Sequence, residues 1–365
     1  MKSTSSQSPK FAANVPESIQ TPDVVETERL GRLEFFDGMP SDETVRKVYD
    51  QLDFSRAVET FLTGCPAASI HAFLQGMKQA GMGTFSMGIH EQLFDARTLW
   101  LTPNTTTVYC IAEINVEHGP TVMEVPPGVL GPVDDAYFRW VTDVGFTGPD
   151  SGQGGKYLFL PPGHEGEVPG GCHVVPTRSY RNWLLMRAFV IDGDLAKTAA
   201  HVKKHWRLYP LAEAARPREP HFVDLSGVRY NTIHANDDSF YEELNAVVQY
   251  EPADAFNPEL VGLWASIGIK KGKPFAPDER MKRILVEAAA VGNATARALS
   301  YRPRGREPYF YEDRQWYTAF VGGRHDFMSD GELMLDYRTM MHYMATGITP
   351  AMAQSAVGQG SAYAF

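Results

Sequence analysis

From Leu99 onward the hydrophobic pattern of the chain has the period of β-strands. The runs are short, rich in β-branched and aromatic residues, and two of them end at a Pro-Pro-Gly turn, at residues 126–128 and 161–163. Proline cannot donate to a strand ladder and glycine adopts turn conformations, so such turns end strands. Many short strands with Gly/Pro turns predict an antiparallel sandwich or barrel. The predicted strands are Thr106–Ile114, Thr121–Val125, Tyr137–Val144, Tyr157–Leu160, His173–Pro176 and Trp183–Ile191.

Helical periodicity flanks this segment on both sides. Ser41 is a suitable N-cap for the first helical run, and Pro66 is expected to end the second, because proline disrupts a helix interior. The pattern therefore predicts an α+β chain in four parts. These are a flexible arm (1–28), a helical lead-in (29–98), a β-rich domain (99–252) and a helical region (253–365). The predicted helices are 42–52, Arg56–Leu62, Ala68–Gln79, Asp194–Trp206, Ser239–Tyr250, Pro258–Ile267, Pro277–Ala298 and Gly331–Ala345.

Composition and charge exclude several classes of protein. The 365 residues carry a net charge of −10, and no long basic run occurs, which argues against a nucleic-acid partner. Three cysteines without a CxxC motif argue against a cysteine zinc site or a disulfide framework. No run of about 18 apolar residues predicts a membrane span. The N-terminus has no signal-peptide pattern, so the expected location is cytoplasmic, or periplasmic or secreted if a signal has been removed.

Several short motifs together resemble one family. They are Leu101–Tyr109, Gly119-Pro120, Val125–Pro127, Asp143 with Gly145, Gly148–Asp150, Gly154–Leu158, Pro161-Pro162 and Tyr209–Leu211. In combination they resemble proteins that pair a DUF1254 domain with a DUF1214 domain, both of them uncharacterised. The resemblance runs from about Glu34 to Leu211 and less sharply beyond.

The resemblance implies a β-sandwich followed by a helical connecting region and, usually, a C-terminal β-domain. The chain stops where that last domain would continue, so we expect a truncated or shortened DUF1214-like part. Combined with the strand pattern, the expected fold is an antiparallel, jelly-roll-like β-sandwich followed by a mainly helical region. The family supplies no agreed activity.

The Asn-Thr-Thr-Thr segment before the first long strand is a candidate binding element. Thr105, Thr107 and Tyr109 share one face of a strand, so two hydroxyls and a phenol could line a pocket with Asn104. The alternative is a local turn, because Asn and Thr side chains often bond to nearby backbone.

Three charged residues interrupt the apolar strands. Arg139, Asp143 and Arg187 are expected to bind a ligand or to pair, because an unpaired buried charge is costly. The alternative is a structural ion pair between Asp143 and either arginine. Trp140 offers a stacking surface or packs.

The glycine-rich segment 148–156 resembles a phosphate loop only superficially. It lacks the GKS or GKT ending and precedes a strand instead of a helix, so a nucleotide site is rejected. Asp150 and Lys156 make it a candidate polar lid.

His201 and His205 would share a helix face and could chelate a metal. Lysines between them and the absence of a Glu favour an exposed basic face, and we expect neither a metal nor a cofactor.

Two functional hypotheses follow. The first is a hydrolase- or lyase-like enzyme for a small polar or anionic metabolite, with Tyr109 or Asp143 as the acid/base. Its substrate would be held by Asn104, Thr105, Thr107, Arg139, Trp140, Lys156 and Arg187. The second is a non-catalytic carbohydrate-binding or assembly protein, and in either case a homo-oligomer is expected. Convergence of Tyr109, Arg139 and Asp143 on an open pocket would favour the enzyme.

Overall fold

The structure is a computed structural model that describes residues 15–353 and 364–365. The chain divides into two compact units, Met1–Asp53 and Phe54–Phe365. Within the described residues, no helix has the length and apolar character needed to cross a membrane.

The first unit contains a small antiparallel sheet. Its strands are β1 (Val24–Thr27), β2 (Gly31–Phe36) and β3 (Met39–Pro40). The Ser41 hydroxyl accepts a hydrogen bond from the Thr44 N–H, so the predicted N-cap is confirmed. The predicted helical lead-in thus holds strands as well as helix.

One long helix, α1 (Asp42–Gln79), replaces the three predicted helical runs. Proline removes one backbone donor and distorts the turn before it, yet Pro66 lies inside this helix. The Thr339 hydroxyl donates to the Leu62 carbonyl at 3.0 Å, and the Tyr137 hydroxyl donates to the Thr63 carbonyl at 2.7 Å. The distant Thr339 hydroxyl therefore satisfies the Leu62 carbonyl, which lacks its backbone donor because residue 66 is proline. The helix continues through Pro66, so the predicted break there was wrong.

A six-stranded sheet forms the centre of the second unit. Its order is β13-β4-β5-β11-β7-β8, with β13 parallel to β4 and the other neighbours antiparallel. The strands are β4 (Ser86–Ile89), β5 (Thr107–Asn115), β7 (Val129–Asp135), β8 (Trp140–Gly145), β11 (Arg181–Phe189) and β13 (His221–Asp224).

A second sheet has the order β10-β9-β6-β12. Its strands are β6 (Thr121–Val125), β9 (Gly155–Leu160), β10 (His173–Pro176) and β12 (Arg207–Pro210). Strand β10 runs parallel to β9, so this sheet is mixed too. The α+β class is confirmed, whereas a wholly antiparallel jelly-roll sandwich is not.

The two faces of the six-stranded sheet have different neighbours. Cys110 of β5 and Met186 of β11 belong to one buried cluster with Met123 and Phe159 of the second sheet. On the opposite face, Tyr109, Ile111, Trp183 and Leu185 cluster with Ile70, Phe73, Leu74 and Met77 of α1. This division arises because successive side chains of a strand point to opposite faces. We call the face that packs against the second sheet the inner face, and the face that packs against α1 the outer face.

The predicted helices after the β-rich segment are confirmed, with small shifts at their ends. They are α2 (Leu195–His205), α3 (Ser239–Tyr250), α4 (Pro258–Ser266), α5 (Glu279–Tyr301) and α6 (Leu335–Met344). A short hairpin, β14 (Met328–Ser329) and β15 (Glu332–Leu333), precedes α6, and α7 (Pro350–Ala353) follows it. Met340 and Met341 of α6 are fully buried within the chain.

Candidate functional site

A cavity opens on the outer face of the six-stranded sheet. It offers about 50 Å³ of space for the centres of water molecules. Its apolar lining is Trp100, Leu101, Pro132, Leu185 and Met352. Its polar and glycine lining is Thr102, Tyr109, Arg187, Thr346, Gly347 and Thr349.

Strand register brings two predicted site residues together here. Arg187 of β11 is the direct cross-strand partner of Tyr109 of β5. Side chains opposite one another in an antiparallel pair lie on the same face, with Cβ atoms about 5 Å apart. The two residues are 78 positions apart in the sequence, so sheet formation is what places a phenol beside a guanidinium.

The Arg187 side chain is half-buried at the cavity. Within residues 15–353 and 364–365 it has no carboxylate or hydrogen-bond partner. The Thr346 hydroxyl, which also lines the cavity, is buried and likewise lacks a partner in this part of the chain. Buried polar groups are normally satisfied by protein, water or ligand. Among the described residues, the cavity lining therefore includes a guanidinium and a buried hydroxyl that have no hydrogen-bond partner.

Two buried aspartates hold the 346–349 wall of the cavity to the sheet. Asp134 of β7 accepts from the Ile348 N–H at 3.0 Å. Asp143 of β8 accepts from the Thr349 hydroxyl at 2.8 Å and from the Trp140 indole at 3.0 Å. Asp143 itself does not line the cavity.

Both carboxyl groups have raised pKa values. Burial raises the pKa of Asp134 well above its usual range, and the nearby Asp143 and Asp135 carboxylates raise it further. Burial also raises the pKa of Asp143, against the lowering effect of the hydrogen bonds from Thr349 and Trp140. Burial penalises the charged form, which is why these acids resist ionisation. Arg187 is not among the charges that shift either pKa.

The opposite wall is the segment before β5. Asn104 forms a turn, in which its side-chain oxygen accepts from the N–H groups and hydroxyls of Thr106 and Thr107. The Asn104 N–H in turn donates to the Tyr109 hydroxyl at 3.0 Å. Thr105 is exposed. The turn interpretation is therefore confirmed for Asn104 and Thr107, whose side chains position the loop and do not line the cavity.

Arg139 lies away from the cavity and pairs with a different acid. Its Nε contacts the Asp135 carboxylate at 2.7 Å, and its Nη2 donates to the Ala255 carbonyl at 2.6 Å. Asp143 has no ion pair with an arginine among the described residues, so the alternative of a structural pair between Asp143 and either arginine was wrong. The β7–β8 register pairs Asp143 with Pro132 and brings Arg139 back to Asp135 across the hairpin turn.

Lys156 belongs to the other sheet. It forms an ion pair with Glu124 at 2.9 Å on neighbouring strands β9 and β6. The Asp150 carboxylate accepts from the Gly145 N–H at 2.7 Å and the Gly154 N–H at 3.1 Å. The Asp150 side chain thus stabilises the glycine-rich loop through hydrogen bonds to backbone N–H groups of this part of the chain. Neither Asp150 nor Lys156 lines the cavity.

Each of the two histidines on α2 contacts a backbone carbonyl at hydrogen-bond distance. His201 contacts the Pro127 carbonyl at 3.0 Å, and His205 contacts the His201 carbonyl at 2.9 Å. Across the described ranges, no group of three or more His, Cys, Asp or Glu side chains is arranged to hold a metal ion.

Several site residues were missed from the sequence. Thr346, Thr349 and Met352 lie more than 150 positions after Arg187, in a region that we had assigned to helices. The signal that could have found them is Gly347 followed by two residues and Pro350, a turn pattern rather than a helix. Gly347 has a φ of +82°, which favours glycine.

Comparison with known proteins matches part of the chain to a family model. A family model described as "Protein of unknown function (DUF1254)" matches residues 86–210, about a third of the chain. The match includes both strands that carry Tyr109 and Arg187. The match does not reach the 346–349 wall of the cavity. The DUF1214-like part of the chain stays a prediction. No curated protein matches the sequence.

Two solved structures are similar to the chain. The crystal structure of the VPA0106 protein from Vibrio parahaemolyticus has a TM-score of 0.57 at 16% identity, covering 82% of this chain and 69% of that one. This likeness concerns the fold alone. An uncharacterized protein from Burkholderia cenocepacia has 12% identity over 70% of this chain and 61% of its own, but its TM-score of 0.24 supports no argument.

Proposed function

We propose that this protein binds a small anionic metabolite in the outer-face cavity. The observation that carries the proposal is the Arg187 guanidinium, which lines a cavity and has no acidic partner within the described residues. A half-buried cation without a counter-ion is unfavourable, and an anionic ligand would relieve that cost. The unpartnered Thr346 hydroxyl would supply a further hydrogen bond.

The proposal assigns different roles to the two predicted acid/base residues. Tyr109 lines the cavity opposite Arg187, so for hydrolase- or lyase-like chemistry it is the proposed acid or base. Asp143 acts through Thr349, and we propose it as a positioning residue for the cavity wall. Turnover of small carboxylate-bearing substrates, followed by NMR, should be abolished by Tyr109→Phe. Turnover that survives this change would remove Tyr109 from the role.

Binding can be tested by calorimetry with a panel of small anions: formate, acetate, propionate, butyrate and inorganic phosphate. At least one should bind the wild type, and Arg187→Met should weaken it by about 10- to 100-fold, since a hydrogen bond to a charged group contributes about 1.5–3 kcal/mol. Arg178→Met is the matched control, because Arg178 is exposed and lines no part of the cavity. The proposal is wrong if no anion binds or if Arg187→Met binds as well as the wild type.

A further inference from the structure

The proposed anion site has an unusual balance of charge and apolar surface. Its lining supplies one guanidinium, from Arg187, and no second cation among the residues that the structure describes. The remaining wall is largely apolar and includes Trp100, Leu101, Leu185 and Met352. A site of this kind matches a ligand with one charged end and a hydrocarbon body.

Charge disfavours a doubly charged ligand. The charged or ionisable groups that contact the 346–349 wall are the acids Asp134 and Asp143, which offer no cationic partner to a second negative charge. One cation balances one negative charge, and a second negative charge on the ligand would have to be desolvated without a partner. A planar carboxylate also suits the fork geometry of a single guanidinium.

Size limits the hydrocarbon body. A cavity with about 50 Å³ of space for the centres of water molecules admits only a small group. Acetate, propionate and butyrate have four to six non-hydrogen atoms, and their carboxylate end would lie at the mouth beside Arg187.

Resting on the proposed function, we infer that the ligand is a short-chain monocarboxylate of two to four carbons. Its carboxylate pairs with Arg187 and accepts a hydrogen bond from the Thr346 hydroxyl. Its alkyl end packs against Trp100, Leu101 and Met352. Specificity for chain length then comes from the apolar wall, whereas the charge is recognised by Arg187.

The test is calorimetric titration of the full chain with acetate, propionate, butyrate, hexanoate and inorganic phosphate. Affinity should rise about fourfold for each methylene from acetate to butyrate, then fall at hexanoate. Phosphate should bind at least about tenfold more weakly than butyrate, because its second charge lacks a partner.

A variant of the apolar wall and its control test the wall separately from the charge. Leu101→Ala should leave the affinity for acetate within about twofold but reduce the gain from acetate to butyrate, since it removes apolar wall. Leu99→Ala is the matched control, because Leu99 is 55% exposed and lies outside this cavity.

The outcomes distinguish the inference from the proposed function. If phosphate binds more tightly than butyrate and still depends on Arg187, the chain-length inference is overturned and anion binding stands. If the carboxylates bind with no dependence on chain length, or Leu101→Ala changes nothing, the inference is again overturned. If none of the five anions binds, the proposed function itself fails.

Discussion

The inner and outer faces of the six-stranded sheet are built from alternate residues of the same strands, yet they differ in chemistry. The inner face contributes side chains such as Val108, Cys110 and Met186 to a buried apolar cluster. The outer face places Tyr109 and Arg187 in the lining of a cavity, and its Asp134 and Asp143 bond to the 346–349 wall of that cavity. The inner face is packed with apolar side chains, whereas the outer face combines apolar packing against α1 with polar side chains at the cavity.

The largest expected effect is on the inner face. Phe159 is fully buried between the sheets, so Phe159→Ala should reduce the free energy of unfolding by about 3–5 kcal/mol through lost burial and a cavity. Denaturant unfolding followed by circular dichroism measures it. Val174→Ala, at a site 43% exposed, should stay within about 0.5 kcal/mol. Equal effects of the two changes would contradict the assignment of the inner face as core.

The next effect is a pH dependence from the outer face. The pKa of Asp134 is raised in the folded state, mainly by burial, so the folded protein keeps a proton that the unfolded chain releases above about pH 4. The contribution of protonated Asp134 to the free energy of unfolding is fully present below the pKa of the unfolded chain. This contribution is lost as the pH rises toward the pKa of the folded protein. Asp134→Asn cannot ionise, so relative to the wild type it should gain up to about 1.4 kcal/mol per pH unit across that window.

Unfolding midpoints from pH 4 to pH 8 measure this difference. Asp254→Asn, an exposed position, controls for the loss of one charge. A difference between Asp134→Asn and wild type that is flat with pH would show that Asp134 is ionised in the folded protein.

A smaller effect is expected where the wall meets the sheet. Thr349→Val removes the hydroxyl that donates to Asp143, and should cost about 1–3 kcal/mol in stability at neutral pH because a buried acceptor loses its donor. Anion affinity should also fall, since the cavity wall loosens. Thr105→Val is the control, because Thr105 is exposed. An unchanged melting temperature for Thr349→Val would remove Asp143 from its positioning role.

The smallest effect is expected at Lys156. Its ion pair with Glu124 lies on the second sheet, and the Lys156 side chain is 54% exposed. Lys156→Met should change stability by less than about 1 kcal/mol and leave anion binding unchanged in calorimetry. A loss of anion binding similar to that of Arg187→Met would show that Lys156 contributes to the site. It would contradict the assignment of anion binding to the six-stranded sheet alone.

How far the sequence predicts this molecule depends on the range of the interactions. Local periodicity and turn residues predict the presence of strands. They also predict helix α3, whose predicted bounds are those observed. The unbroken helix through Pro66 could not be predicted in this way, because the hydroxyl that satisfies the Leu62 carbonyl comes from the distant Thr339. Such contacts leave no local pattern.

The candidate site divides in the same way. Tyr109 is predicted from the strand face that it shares with Thr105 and Thr107, and Arg187 from its place in an apolar run; the β5–β11 register makes the two neighbours. Arg139 also lies in an apolar run, but a hairpin turn returns it to Asp135. Single-strand patterns predict which residues are polar in a sheet, whereas register decides which of them meet.

The most direct test of the account is a crystal structure of the full chain with butyrate, beside one of Arg187→Met grown under the same conditions. The account predicts density for butyrate in the outer-face cavity of the wild type, with its carboxylate on Arg187 and its methyl end between Trp100 and Met352. It predicts no such density in the variant. A cavity that stays free of butyrate at saturating concentration, or butyrate bound equally in both proteins, would contradict it.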